Sequence, residues 1–223
     1  MRQIRFLLKR LLKPVLKPAA DWYLSRDRSY RYRGMKLWVM PGVFHPGFLI
    51  STGLFLDFLA DIPLKGKQFL ELGAGSGLIS VVASRKGADV TASDISSLAI
   101  ENISRNAKKY APGIRIIQSD LFDEFPAISF DLIVINPPYY PQEPVKEADF
   151  AWYCGPEFEY FHKLFRQLPD HIHPDSELYM ILSEDCDSGH IREIAEAAGF
   201  EMEVIWRKRK WGEWNFIFRI QKA

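Results

Sequence analysis

Four consecutive residues, Asn136, Pro137, Pro138 and Tyr139, carry the plainest chemistry in the chain. They follow an apolar run, residues 130–135, that reads as a strand. Two prolines end a strand and stiffen the backbone beyond it. The Asn136 side-chain oxygen and the Pro137 carbonyl are then held as two acceptors for one NH₂ group. Tyr139 adds a flat face for a planar group, and stacking of a base on such a ring is worth about 1–3 kcal/mol. Two acceptors drawing on the N–H bonds of an amino or amide nitrogen localise a lone pair that conjugation otherwise spreads out. The nitrogen becomes a nucleophile without a His or Lys base, and none stands in the motif. The same residues also suit a plain Pro-rich turn closing a strand.

A second pattern lies upstream. Glu71-Leu72-Gly73-Ala74-Gly75-Ser76-Gly77 follows a strand-like run and opens a helix-like one. Glycines at alternate positions permit positive φ and close approach of a ligand to the backbone. The N–H groups of the helix that follows can face a carboxylate or phosphate. A dinucleotide fingerprint needs glycine at the sixth position, where this chain has Leu78. The alternative is a tight turn that holds nothing. Asp94 ends the next strand, where a carboxylate suits a ribose diol. Asp120 follows the third strand, placed to accept from an adenine amino group, with Leu121 positioned against the ring. Each Asp alone is also an ordinary turn residue; their order after the glycine loop gives them meaning.

The elements that must position these residues alternate. Strands are predicted over residues 67–72, 88–93, 114–118, 130–135, 177–182, 200–206 and 214–220. Helices are predicted over 47–60, 76–86, 96–110, 158–168 and 191–198. The pattern implies an α/β fold with a mostly parallel seven-stranded sheet and helices on both faces. The last two strands are joined too closely for a crossover and form an antiparallel hairpin at one edge. Tyr30, Tyr32, Gly34 and residues 36–39 suggest a separate short hairpin. Two domains are expected: a basic arm over residues 1–40, made of an amphipathic helix and that hairpin, and a catalytic domain over residues 41–223.

Composition excludes several classes. The chain has 223 residues, 48% hydrophobic and 26% charged, as in globular proteins. No apolar run approaches the ~18 residues of a membrane span. Cys154 and Cys186 have no metal-ligand spacing and fit a reducing cytoplasm. His171 and His173 are expected to be exposed surface residues, so no metal site is predicted. Net charge is +1, but residues 1–33 carry +8 and the remaining 190 carry −7. Ile4, Leu8, Leu11, Leu12 and Val15 recur at helical spacing in the arm. That helix packs on the domain, touches anionic lipid, or touches RNA.

The Glu-preceded G-x-G-x-G loop, the two acids and the Asn-Pro-Pro-Tyr motif resemble class I S-adenosylmethionine-dependent methyltransferases. Residues 41–46, Pro-Gly-Val-Phe-His-Pro, are similar to the segment leading into the methyltransferase small domain group, which acts on release-factor glutamine and on bases of rRNA and tRNA. The resemblance covers roughly residues 40–222 and implies a Rossmann-like class I fold. It implies that Glu71, Gly73, Gly75 and Gly77 hold the methionine end of S-adenosylmethionine. It places Asp94 on the ribose and Asp120 with Leu121 at the adenine. Asn136, Pro137 and Tyr139 hold the acceptor nitrogen. Bacterial release-factor enzymes carry a helical domain before the catalytic one, and here the preceding residues are few and basic. The expected acceptor is adenine N6 in RNA, on the strength of the arm and of Arg207-Lys208-Arg209-Lys210 between Trp206 and Trp211. That run otherwise reads as a solvated hairpin turn. A protein glutamine, or cofactor binding without catalysis, are the other readings.

Overall fold

The computed structural model describes residues 25–47 and 50–223. The predicted amphipathic helix of the arm lies outside the described residues. Strands β3 (Gln68–Leu72), β4 (Asp89–Asp94), β5 (Arg115–Gln118), β6 (Phe130–Ile135), β7 (Ile172–Ser183), β8 (Phe200–Lys210) and β9 (Glu213–Lys222) form one seven-stranded sheet. Its order is β5-β4-β3-β6-β7-β9-β8. β3 to β7 pair in parallel, and β9 runs antiparallel to β7 and to β8. The chain winds outward from β3 through β4 to β5, then returns to place β6 on the other side of β3. The strand order therefore reverses beside the glycine loop, where open α/β sheets bind ligands.

Central strands are almost wholly apolar because helices cover both faces; β6 reads Phe-Asp-Leu-Ile-Val-Ile and buries all but one of its residues. One face packs against α1 (Ile50–Leu59), α2 (Leu78–Arg85) and α3 (Ser97–Tyr110), with Phe55, Phe69, Ile103 and Leu132 in that core. The other packs against α4 (Glu159–Gln167) and α5 (Ser188–Ala197), around Phe161, Phe165, Ile191 and Phe200.

A two-stranded sheet, β1 (Arg28–Tyr32) and β2 (Met35–Val39), turns at Arg33-Gly34, both at positive φ as two-residue hairpin turns require. Its inner face, Met35, Leu37 and Val39, is buried, with Met35 and Leu37 in the first core. Two buried asparagines one turn apart on α3 hold it there. Asn106 Oδ1 accepts from Trp38 N at 2.7 Å and Asn102 Oδ1 from Met40 N at 2.9 Å. Their Nδ2 groups donate to Ser76 O of the glycine loop at 3.0 and 3.1 Å. One helix thus clamps the hairpin to the loop.

Two expectations are corrected. The basic run at residues 207–210 is strand, because β8 continues to Lys210 and the turn is only Trp211-Gly212, again at positive φ. His171 is not a surface residue: it is buried, stacked on Phe122 with ring centres 4.3 Å apart, its Nδ1 3.0 Å from Ile128 O. His173, partly buried, lies 3.1 Å from Asp131. Stacking and carbonyl contact give an imidazole a place in a core without a metal, and no cluster of potential ligands exists among the described residues.

Candidate active site

The chain leaves β3 at Leu72 and turns at once. Gly73 and Ala74 donate to Ser93 O at 2.9 and 2.8 Å, tying the loop to the end of β4. Gly73, Gly75 and Gly77 all have positive φ, which accounts for glycine at alternate positions. A Cβ at Gly75 would press on Phe44 at 3.3 Å, and one at Gly77 on Ile103 at 3.2 Å.

Glu71 is buried, and its Oε2 accepts from Ser80 N at 2.7 Å and from the Ser80 hydroxyl. Burial outweighs those bonds and pushes its pKa up to about 8. Asp94 accepts from Gly75 N at 2.8 Å and Ser96 N at 3.0 Å. Burial raises its pKa as well. A carboxylate offers roughly four acceptor sites, so capacity remains for a further donor. Asp120 is not free in the way the sequence suggests. Lys163 of α4 lies 2.5 Å from it and 2.6 Å from Asp123.

Asn136 leaves β6 with its Nδ2 donating to Ser51 Oγ of α1 at 3.2 Å. Glu71, Gly73, Gly75, Asp94, Asp120, Leu121 and Asn136 line one cavity of about 480 Å³. Gly77, Pro137 and Tyr139 do not line it. Gly77 caps α2 behind the loop. The partly buried Tyr139 ring packs against the second core.

Residues 140–155 cross the cleft as a strap. Tyr140 and Cys154 exchange backbone bonds with Trp152 and Tyr140, each 3.0 Å. The Glu147 carboxylate takes the hydroxyls of Ser96 and Ser97 at 2.8 and 3.0 Å, which lowers its pKa. Sequence reasoning missed Ser51, Thr52, Tyr160 and Lys163. The last three line the cavity, and Ser51 bonds the motif. Tyr160 and Lys163 stand three apart on α4, a spacing that puts them on one helix face, but only the tertiary fold aims that face at the loop. Burial raises the pKa of both cysteines, Cys154 to about 11 and Cys186 to about 12, so neither is a reactive thiolate.

The model of the methyltransferase small domain family matches residues 34–210. The chain belongs to that family. It is 30% identical over 180 residues to a putative protein N5-glutamine methyltransferase of the archaeon Methanocaldococcus jannaschii, covering 78% of this chain and 89% of that one. It is 29% identical over 146 residues to the tRNA1(Val) (adenine(37)-N6)-methyltransferase of Glaesserella parasuis, covering 62% and 60%. Over seven curated relatives, including that one, the match spans 37–63% of their length. The structure of the E. cuniculi Mtq2–Trm112 complex superposes with a TM-score of 0.62 at 22% identity, over 82% of this chain and 99% of that one, and shares the fold. This chain is an S-adenosylmethionine-dependent methyltransferase. Its cavity fits that donor. A left-handed glycine cradle, one buried and one half-buried carboxylate and a volume within the ~300–1,000 Å³ of ligand pockets converge in one place. No helix among the described residues is long and apolar enough to cross a membrane.

Proposed function

We propose that the chain methylates an exocyclic amino group of a base in RNA, adenine N6 first among them. When bound, S-adenosylmethionine supplies an electrophilic methyl group on a sulfonium. Glu71 and the backbone of Gly73 and Gly75 hold its methionine end, and Gly77 shapes that loop from behind. Asp94 accepts from the ribose diol. Asp120, held in place by Lys163, faces the adenine beside Leu121. Asn136 Oδ1 and the Pro137 carbonyl accept from the acceptor NH₂ and turn its lone pair toward the cleft. Ser51, bonded to the Asn136 Nδ2, restrains the carboxamide. Tyr139, packed against the second core, walls the acceptor side. The strap over residues 140–155 shields the cleft from water. The reducing cytoplasm suits the two free thiols.

The observation that carries the RNA reading is the β8–β9 tip. Ser183, the last residue of β7, pairs with Asn215, so Arg209, Lys210, Trp211 and Trp214 project past the sheet edge where the motif lies. Trp211 is 75% exposed, an apolar ring held out among cations, which suits stacking on a base. A base must leave its stack to reach the cavity. The second reading is a protein glutamine, whose carboxamide offers the same planar NH₂. The archaeal relative matched over 89% of its length favours it. Methyl-labelled donor added to a source-cell lysate separates the two. Ribonuclease-sensitive label supports the RNA reading; protease-sensitive label overturns it in favour of the glutamine.

A further inference from the structure

We propose that the outer face of the β1–β2 hairpin, together with the exposed flank of α3, binds the sugar-phosphate backbone of the RNA substrate and leads it to the cleft. This rests on the RNA reading above. From Arg28 to Leu56 the chain has four Lys/Arg and no Asp or Glu. In the hairpin, Arg31 pairs directly with Lys36 and Ser29 with Trp38, all on the face turned away from the buried Met35, Leu37 and Val39. Like charges directly opposite one another destabilise a strand pair. Neither cation has a carboxylate partner among the described residues. A local rule broken without a structural return marks a functional surface.

α3 extends the face. The Arg105 guanidinium lies 3.7 Å from the Trp38 ring centre, and Lys109 Nζ 4.9 Å from that of Tyr110. The Tyr110 hydroxyl in turn donates to Lys36 O at 2.9 Å and accepts from Lys36 N at 2.8 Å, so the aromatic rings brace the cations. A guanidinium stacked on an indole keeps its donor edge free for bidentate phosphate contact. A bond from Lys109, with the charge of Arg85, also lowers the Tyr110 phenol below its usual pKa, a sign of positive potential there. α3 is 14 residues long, about 20 Å. Its first turn reaches the cleft: Leu98 lies against Gly42, and Gly42, Val43 and Phe44 line the cavity.

A lipid surface fits this face poorly. Membrane docking needs apolar side chains to insert, and Leu98, 36% exposed, is the sole large exposed hydrophobe it carries among the described residues. Residues 143–159, beside that first turn, hold five Asp/Glu and one Lys, and Glu147 bonds Ser96 and Ser97 there, so the cations of the face lie on the hairpin and the later turns of α3.

The test uses the full chain with the paired variant R31E/K36E, and R31Q/K36Q in case charge reversal impairs folding. Binding of a labelled single-stranded RNA of mixed sequence is titrated against salt, and methyl transfer to total RNA is followed in parallel. Two lost phosphate contacts should flatten the slope of log K against log salt by about 1.4, at about 0.7 per contact on single strands. RNA affinity should fall at least tenfold in moderate salt, with S-adenosylmethionine affinity unchanged. An unchanged slope in a variant whose wild type binds and methylates RNA overturns this surface and leaves the RNA reading standing. A wild type that methylates protein and neither binds nor methylates RNA overturns both. Loss of binding to phosphatidylglycerol vesicles, with RNA binding intact, assigns the face to lipid and overturns the proposal.

Discussion

The donor side and the acceptor side of the cleft are built differently. On the donor side Glu71, Gly73 and Asp94 are held by partners within residues 71–96, while Asp120 depends on Lys163 of α4. Glu71 bonds Ser80, Asp94 bonds Gly75 and Ser96, and Gly73 bonds Ser93. On the acceptor side the contacts leap along the chain. Asn136 bonds Ser51, and Glu147 bonds Ser96 and Ser97. A segment closed on itself is pre-organised and does not depend on what the enzyme methylates. A site assembled from four separate segments can be altered one segment at a time, and the family's range of acceptors fits that freedom.

The sharpest way to break the comparison is Asn136→Ala. Removing one group that stabilises developing charge costs about 10²–10³ in kcat. The donor side owes nothing to Asn136, so calorimetry should find S-adenosylmethionine affinity nearly unchanged. Loss of donor binding would show that the two sides are one unit. Asp94→Ala tests the reverse. It removes a charged acceptor and strands the Gly75 N–H, so donor affinity should fall about tenfold to a hundredfold, at about 1.5–3 kcal/mol per charged hydrogen bond. An affinity within twofold of wild type would remove Asp94 from the ribose.

The third prediction concerns what joins the loop to the hairpin. Asn106 is 2% exposed, and its carboxamide serves Trp38 N, Trp38 O and Ser76 O. Asn106→Leu removes the partner of Trp38 N and O, at about 1–3 kcal/mol each before relaxation, while Ser76 O keeps its bond from Asn102 Nδ2. Chemical denaturation should show a loss of at least the lower figure. A stability equal to wild type would mean that water replaces the clamp at no cost.

The same contrast governs what was legible. The glycine loop and Asp94 were readable because strand, turn, helix and strand follow one another within 24 residues, from Glu71 to Asp94, and each local preference agrees with the fold. The parallel sheet followed from the alternation of elements. Ser51 and Lys163 carry no local signal. A serine opening an apolar helix looks like a cap, and a lysine on an amphipathic helix looks like a solvated charge. Only the packing of α1 and α4 over the strand ends brings them to the cleft. The motif also gives no sign that the Tyr139 ring packs, partly buried, against the second core. His171 misled, since nothing local reports that Phe122 and the Ile128 carbonyl wait for it across the fold.

The effect at Glu71 is read as a slope against pH. Burial holds the folded carboxyl at about 8, above the ordinary 4.5. Between those values the folded state binds more protons than the unfolded one, so stability falls as pH rises through that window. Glu71→Gln keeps the shape and an acceptor oxygen for Ser80, and removes the titration. Near pH 5 the variant should melt close to wild type, and by pH 8 it should melt higher. Parallel curves from pH 5 to 8 would show that the carboxyl ionises at its ordinary pKa. The donor side would then hold a true buried charge and would not be self-sufficient: it would need the cationic donor to complete it.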